Sequence, residues 1–294
     1  MKSKNTIQQF GGDWTQQKLL RVKSYLSAYT QALKNTPFQL SYIDAFAGTG
    51  YREIKIEESQ QLLFPDLVAH DAEEFHDGSA RIALDTYPPF HDYYFIEEDG
   101  VKCEELEKLK VEHPDKKIQI VNMDANKWIK EYWCTKAKRN SSLRAVMFLD
   151  PFGMSVSWNT IQAIAETRAV DMWYLFPLGV GVNRLLKKDG NIPESWKRKL
   201  DELFGNSDWE NILYAKSETL DLFGETQLSV IKGGFSEISD YFIRRLSEIF
   251  PGVSKNPYML YNEKNNPLYM LCFACGNEKG CKVALKIADH ILKM

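Results

Sequence analysis

The chain has 294 residues, of which 44% are hydrophobic and 26% charged, and a formal net charge of −3. That composition excludes a disordered, collagen-like or polybasic chain and suits one large α/β domain or two small ones. Five cysteines are too few, and odd in number, for a disulfide scaffold. With no apolar leader and no run of about 18 apolar residues, the expectation is a soluble, cytoplasmic protein with no membrane span.

Trp14 to Lys34 carries Leu19, Val22, Leu26, Tyr29 and Leu33 at three- and four-residue spacing, which predicts an amphipathic helix. QLSYIDAFAG, Gln39 to Gly48, reads as a buried strand running into a glycine turn. Tyr51 to Asp77 has no period and reads as a long loop. Ser79 is placed to N-cap a short helix, SARIALDTY. Strands follow at Asp92–Asp99, Lys117–Asp124, Leu143–Gly153 and Ala169–Pro177, with helices between them. Strand–helix alternation from 40 to 177 implies a doubly wound, mostly parallel sheet of Rossmann-like type. The segment 181–250 reads as a helical insertion with no convincing strand. Leu268–Gly276 and the helix CKVALKIADHILK then return to the sheet. The expected units are an α/β core over 1–180, an insertion over 181–250 and a returning strand and helix over 251–294.

Acids stand at the carboxyl ends of successive predicted strands: Glu97, Asp124 and Asp150. The first strand ends in Asp44, Phe46 and a turn with Gly48 and Gly50, whose lack of a side chain allows close backbone approach. Ligands of open α/β sheets bind at such strand ends. The turn is not G-x-G-x-x-G, and no diphosphate cradle follows, so the spacing suits S-adenosylmethionine better than NAD. Glu97 is positioned to accept two ribose hydroxyls, Asp124 with Ala125 to meet the adenine, and Asp44 and the glycines to bracket the methionine end.

FLDPFG places Asp150, Pro151 and Phe152 after the most hydrophobic strand. It resembles the Asp-Pro-Pro-Tyr/Phe motif of amino-methyltransferases, with one proline missing. There the carboxylate and the proline carbonyl accept from an exocyclic amine, and the aromatic ring stacks on a base taken out of its stack.

YIDAFAGTGY, GSARIAL, YYFIEED, MDAN, RAVMFLDPFGM, DMWYLFPLGVGVNR and PLYMLCFACGN, spread from Tyr42 to Asn277, together resemble the three-Cys-motif partner (TcmP) family, a likeness taken to cover nearly the whole chain from Leu19 on. The resemblance implies a methyltransferase-like fold and a partner: a radical-SAM-like protein with a three-cysteine cluster, encoded nearby. The motif order is also similar to that of large-subunit ribosomal RNA adenine-N6 methyltransferases. That likeness implies Ser79 at the cofactor's methionine carboxylate. This chain departs from it at Ala80, where that family has proline, and at Glu98, where it has leucine.

Between Arg184 and Lys199 stand six basic residues against two acidic ones, with Trp196 and Trp209 nearby. Asn183, Arg184, Lys197 and Arg198 are the candidate contacts for an RNA or DNA substrate, against the plainer reading of a solvated helix face. Cys272, Cys275 and Cys281 have the spacing of half a zinc site, but buried free thiols fit a strand better, so no metal is expected. Three functions remain open: a methyltransferase acting on a nucleic-acid amine, a non-catalytic adaptor for the partner, and a methyltransferase for a protein or small molecule, which follows if the pocket around Phe152, Tyr174 and Phe176 cannot admit a base.

Overall fold

A computed structural model describes residues 13–47, 78–220, 226–262 and 264–294. Five parallel strands, β1 (Gln39–Asp44), β2 (Asp92–Glu97), β3 (Ile118–Asn122), β4 (Leu143–Leu149) and β5 (Val170–Phe176), build the sheet. Their spatial order is β3-β2-β1-β4-β5. The chain winds outward from β1 in one direction and, after β4, in the other. The switch point therefore lies between the carboxyl ends of β1 and β4, where open sheets of this kind bind ligands.

Nearly every residue of β1, β2, β4 and β5 is buried, because helices cover both faces. The alternation along β4 shows why. Leu143, Ala145, Met147 and Leu149 enter one core, while Val146 and Phe148 enter the other. The first core is covered by α4 (Ala125–Trp128), α5 (Cys134–Arg139) and α6 (Trp158–Glu166). The second is covered by α1 (Asp13–Leu33), the helical residues 78–84 (α2), α3 (Gly100–Glu112) and α11 (Cys281–Leu292).

Beyond β5, the segment expected to be purely helical holds α7 (Asn183–Leu185), α8 (Glu194–Phe204), α9 (Trp209–Leu213) and α10 (Phe235–Ile249). It also holds an antiparallel hairpin, β6 (Tyr214–Leu220) with β7 (Thr226–Lys232). The helices are amphipathic and pack Leu200, Leu203, Phe204, Phe242 and Leu246 into the first core. The hairpin forms its own two-stranded sheet. The expectation of a purely helical segment is corrected by this pairing: a short hairpin outside the main sheet carries little apolar periodicity in its sequence, YAKSETL and TQLSVIK.

The chain then returns through β8 (Gly252–Val253), β9 (Tyr258–Tyr261) and β10 (Pro267–Cys275), and β10 runs antiparallel beside β5. Helix α1 lies over the second face. Tyr25 donates to Asp171 of β5 at 2.6 Å, and the Arg21 guanidinium stacks 3.4 Å from the Tyr258 ring centroid of β9. Among the described residues no helix is long and apolar enough to cross a membrane.

Candidate functional site at the switch point

The carboxyl ends of β1 and β4 carry two buried acids. Asp44 is fully buried and Asp150 is 8% exposed. Both face the side of the sheet that α1 and α2 cover: Asp44 shares the face of Tyr42, and Asp150 that of Phe148. The Ser79 hydroxyl of α2 donates to Asp44 Oδ2 at 2.8 Å, and the Tyr42 hydroxyl lies 3.5 Å from the same oxygen. Asp44 Oδ1 is buried and, among the described residues, makes no full hydrogen bond, although the Phe46 amide lies close enough to favour the charged form. Burial pushes the Asp44 carboxyl up to about 7; Ser79 pulls it down, and Asp150 pushes it up again.

The carboxylate of Asp150 meets Lys18. The ammonium sits 3.1 Å from Oδ2, with the two side chains 2% and 9% exposed. A lysine is rarely buried unless paired. Lys18 stands on the same helical face as Val22, Tyr25 and Tyr29, so a charge occupies the apolar stripe of α1. Sequence reasoning passed over it, because a lysine next to an apolar stripe reads as solvent-facing. Its phase, four residues before Val22 and seven before Tyr25, was the available signal. With both acids ionised, Asp44, Asp150 and Lys18 would carry one net negative charge in a buried place. Such a group favours a cation or a proton.

The loop after β4 is shaped by its neighbours. Pro151 is buried and Phe152 is 46% exposed, at the lip beside Asp150. Gly153 follows at φ +62°, a conformation that side chains disfavour. Asn126 of α4 fixes the far end of the loop. Its Oδ1 accepts from the Ser157 amide and the Thr160 hydroxyl, and its Nδ2 donates to the Ser155 carbonyl at 2.8 Å. This clamp between β3 and β4 is the structural content of the MDAN stretch, where sequence reasoning gave Asn126 no part.

The other acids sit differently. Glu97 is half-buried and accepts from the Asp99 amide at 2.7 Å. Asp124 is exposed and caps α4, accepting from the Lys127 amide at 2.8 Å. Ala125 is buried behind it, and Phe46 is half-buried against the first core. Ser79 lies inside α2, not at an N-cap, and its hydroxyl is directed to Asp44. Gly48 and Gly50 lie outside the described residues, as does the segment 51–77.

Farther out, Asn183 accepts at both its carbonyl and its side-chain oxygen from the Lys232 ammonium, at 3.0 and 2.6 Å. Arg184 is exposed. Lys197 pairs with Glu210 at 2.9 Å, and Arg198 lies 3.8 Å from Glu194. Trp209 is fully buried, its indole N–H donating to Asp201, so it belongs to the core and not to a surface that stacks bases. Tyr174 and Phe176 are likewise fully buried; Phe176 stacks on Phe242 with ring centroids 4.0 Å apart. Their alternation on β5 puts both into the first core, while Phe152 is exposed, which corrects the expectation of one substrate pocket around all three. Cys272, Cys275 and Cys281 are buried free thiols, and burial pushes all three up.

No family model and no curated protein sequence matches the chain. Among solved structures, the chain is similar over 96% of its length to a DUF519-family protein from Legionella pneumophila, at 12% identity, 92% of that chain and a TM-score of 0.46. Over 87% it is similar to an S-adenosylmethionine-dependent methyltransferase from Clostridium acetobutylicum, at 8% identity, 91% of that chain and a TM-score of 0.36. Over 86% it is similar to the N-terminal domain of EvdMO1 with S-adenosylhomocysteine bound, at 8% identity, 80% of that chain and a TM-score of 0.38. All three scores lie below 0.5, and the site is read from this chain's own residues.

Proposed function

We propose that the chain is an S-adenosylmethionine-dependent methyltransferase that acts on an exocyclic amine of a nucleic-acid base. The observation that carries this reading is Asp44: a buried carboxylate at the switch point, with one oxygen that has no full hydrogen bond among the described residues and a pKa raised to about 7. Such a group suits a cationic ligand, and S-adenosylmethionine brings an ammonium, a sulfonium and an electrophilic methyl group. Asp44 would accept from the ammonium. Glu97, already oriented by the Asp99 amide, would take the ribose hydroxyls with its second oxygen, and Asp124 would take the adenine amine. The turn holding Gly48 and Gly50 would close the methionine end.

Lys18 holds Oδ2 of Asp150, so Oδ1 is the oxygen that would accept from the substrate amine, together with the Pro151 carbonyl. Exposed Phe152 would stack on the base once it has left its helix. Work with a three-Cys-motif protein belongs to the same proposal and rests on the family resemblance of the sequence.

The second reading, a non-catalytic adaptor, is favoured by one observation: an ammonium already occupies the carboxylate that the chemistry needs. Calorimetry of S-adenosylmethionine on the wild type and Asp44→Asn, followed by labelled-methyl transfer to RNA and DNA with Asp150→Asn, separates the readings. The proposal expects binding that Asp44→Asn weakens and transfer that Asp150→Asn abolishes with the affinity kept. Binding without any transfer, with and without the partner, favours the adaptor. Absence of binding overturns both the cofactor and the reaction.

A further inference from the structure

The basic segment after β5 is not uniformly open to a ligand. Of its later members, Lys197 and Arg198 face carboxylates, and Lys199 is exposed farther along α8. Its earlier members do not pair in this way: among the described residues, Arg184, Lys187 and Lys188, and with them Lys232 of β7, form no ion pair within 4 Å with a carboxylate. Arg184, Lys187 and Lys188 are exposed, and Lys232 is half-buried. They come from two separate pieces of chain that the fold locks together. Lys232, at the end of β7, reaches across to both oxygens of Asn183. The Tyr214 hydroxyl of β6 donates to the Lys187 carbonyl at 2.8 Å. The Lys187 ammonium lies 5.6 Å from the centroid of the half-buried Trp196 ring. Asp189 is the single acid within 183–190. Burial and the nearby Lys188 charge pull the Lys232 ammonium down, so two like charges are held together where an anion would relieve them.

The place of this cluster gives it direction. Residues 178–182 form a π turn that leaves β5. A methyl group placed on Gly181 would come within 3.0 Å of the Met154 side chain. The turn is thus packed on the loop that presents Asp150 and Phe152, and the chain runs straight from it to Arg184. Four cations and a partly open indole begin one turn from the candidate catalytic loop and lead to the base of the hairpin.

We propose that Arg184, Lys187, Lys188 and Lys232, with the Trp196 ring, form a track for the phosphodiester backbone of a single-stranded nucleic acid that leads into the Phe152 lip. Cations set the strand on its phosphates, and an indole offers a face to a base without choosing its sequence. The track deepens the reading above and rests on it only for the reaction at its end.

The test is fluorescence anisotropy of labelled RNA and DNA strands of about 20 nucleotides on the full chain, over a salt series. Calorimetry of S-adenosylhomocysteine is run on the same samples. The wild type should bind at least one strand, and affinity should fall steeply with salt. Lys187→Ala with Lys188→Ala should weaken binding about tenfold at low salt and flatten the slope of log affinity on log salt by about 1.4, near 0.7 for each phosphate that is no longer neutralised. Lys232→Ala should do likewise, but it also frees Asn183, so the exposed lysine pair decides. An unchanged slope in that pair overturns the track, as does binding of polyglutamate in place of either strand. Strand binding with these slopes but no S-adenosylhomocysteine binding keeps the track and removes the cofactor reading. The reverse result removes only the track.

Discussion

The four acids at the ends of β1 to β4 divide into an inner and an outer pair. Asp44 and Asp150 flank the switch point, are buried, and are held by side chains distant in sequence, from α2 and α1. Glu97 and Asp124 stand on the flank, are open to solvent in part or in full, and accept from backbone amides two and three residues away. The inner pair is a product of the tertiary fold, and its charges are costly to bury. The outer pair would adopt its geometry in any chain that makes the same turns. The large stability and pH effects should therefore concentrate in the inner pair, while substitutions in the outer pair should change ligand affinity at little cost in stability.

The largest effect is expected at Lys18. Lys18→Met strands the Asp150 carboxylate without its cation, which should cost about 3–5 kcal/mol of stability in urea denaturation. Adding Asp150→Leu should recover most of that, since an apolar pair removes the stranded charge. A loss below about 1 kcal/mol in the single variant would show that the pair does not anchor α1.

Asp44 comes next. Its folded pKa, about 7, lies above the ordinary 3.8. Between those values the folded chain holds a proton that the unfolded chain has released, so this residue makes stability fall as pH rises from about 4 to about 7 and level off above. The drop is on the order of 4 kcal/mol. Asp44→Asn should flatten the profile and leave the variant more stable than the wild type at pH 8. Equal slopes in the two proteins would place the ionisation elsewhere. Affinity for a cationic ligand should run the other way in the wild type, rising from pH 6 to pH 8 as the carboxylate forms.

Glu97→Ala sharpens the contrast from the outer side. Thermal stability should stay within about 0.5 kcal/mol. Affinity for S-adenosylmethionine should fall by roughly 1.5–3 kcal/mol, because a charged acceptor is removed from its hydroxyls. A stability loss with unchanged affinity would assign Glu97 to the fold alone.

This division also sets what could be read in the sequence. Four of the five parallel strands were legible because helices on both faces make them largely apolar runs, with β4 and β5 the plainest, and the edge strand β3 because Ile118 and Ile120 alternate with polar Gln119. The outer acids were legible because strand end and acid are adjacent in sequence. Asp150 could be placed, but the ammonium on it could not: the phase of Lys18 against Val22 and Tyr25 signals an inward turn, and nothing local names its partner, 132 residues away. The same holds for Ser79, read as a cap and found on Asp44, and for Asn126, whose partners at 155–160 lie beyond a strand. The hairpin β6–β7 escaped because the pairing of its two strands, and no clear period in YAKSETL or TQLSVIK, defines it. What is local was legible, and what depends on two distant segments meeting was not.

The smallest effect, at Asp124, separates two roles that one side chain combines. Its Oδ1 accepts from the Lys127 amide and caps α4, while the proposed adenine contact needs Oδ2. Asp124→Ala removes both, and should cost about 1 kcal/mol of stability as well as some affinity. Asp124→Asn keeps a capping oxygen and replaces the second with an N–H₂ group, which cannot accept from an amine. Stability should then stay near the wild type while affinity for S-adenosylmethionine falls as far as in the alanine variant. If asparagine preserves both, the residue serves only the helix, and the adenine end of the site must be sought elsewhere. If asparagine loses affinity alone, the cap and the ligand contact are independent uses of one carboxylate, as its exposed position allows.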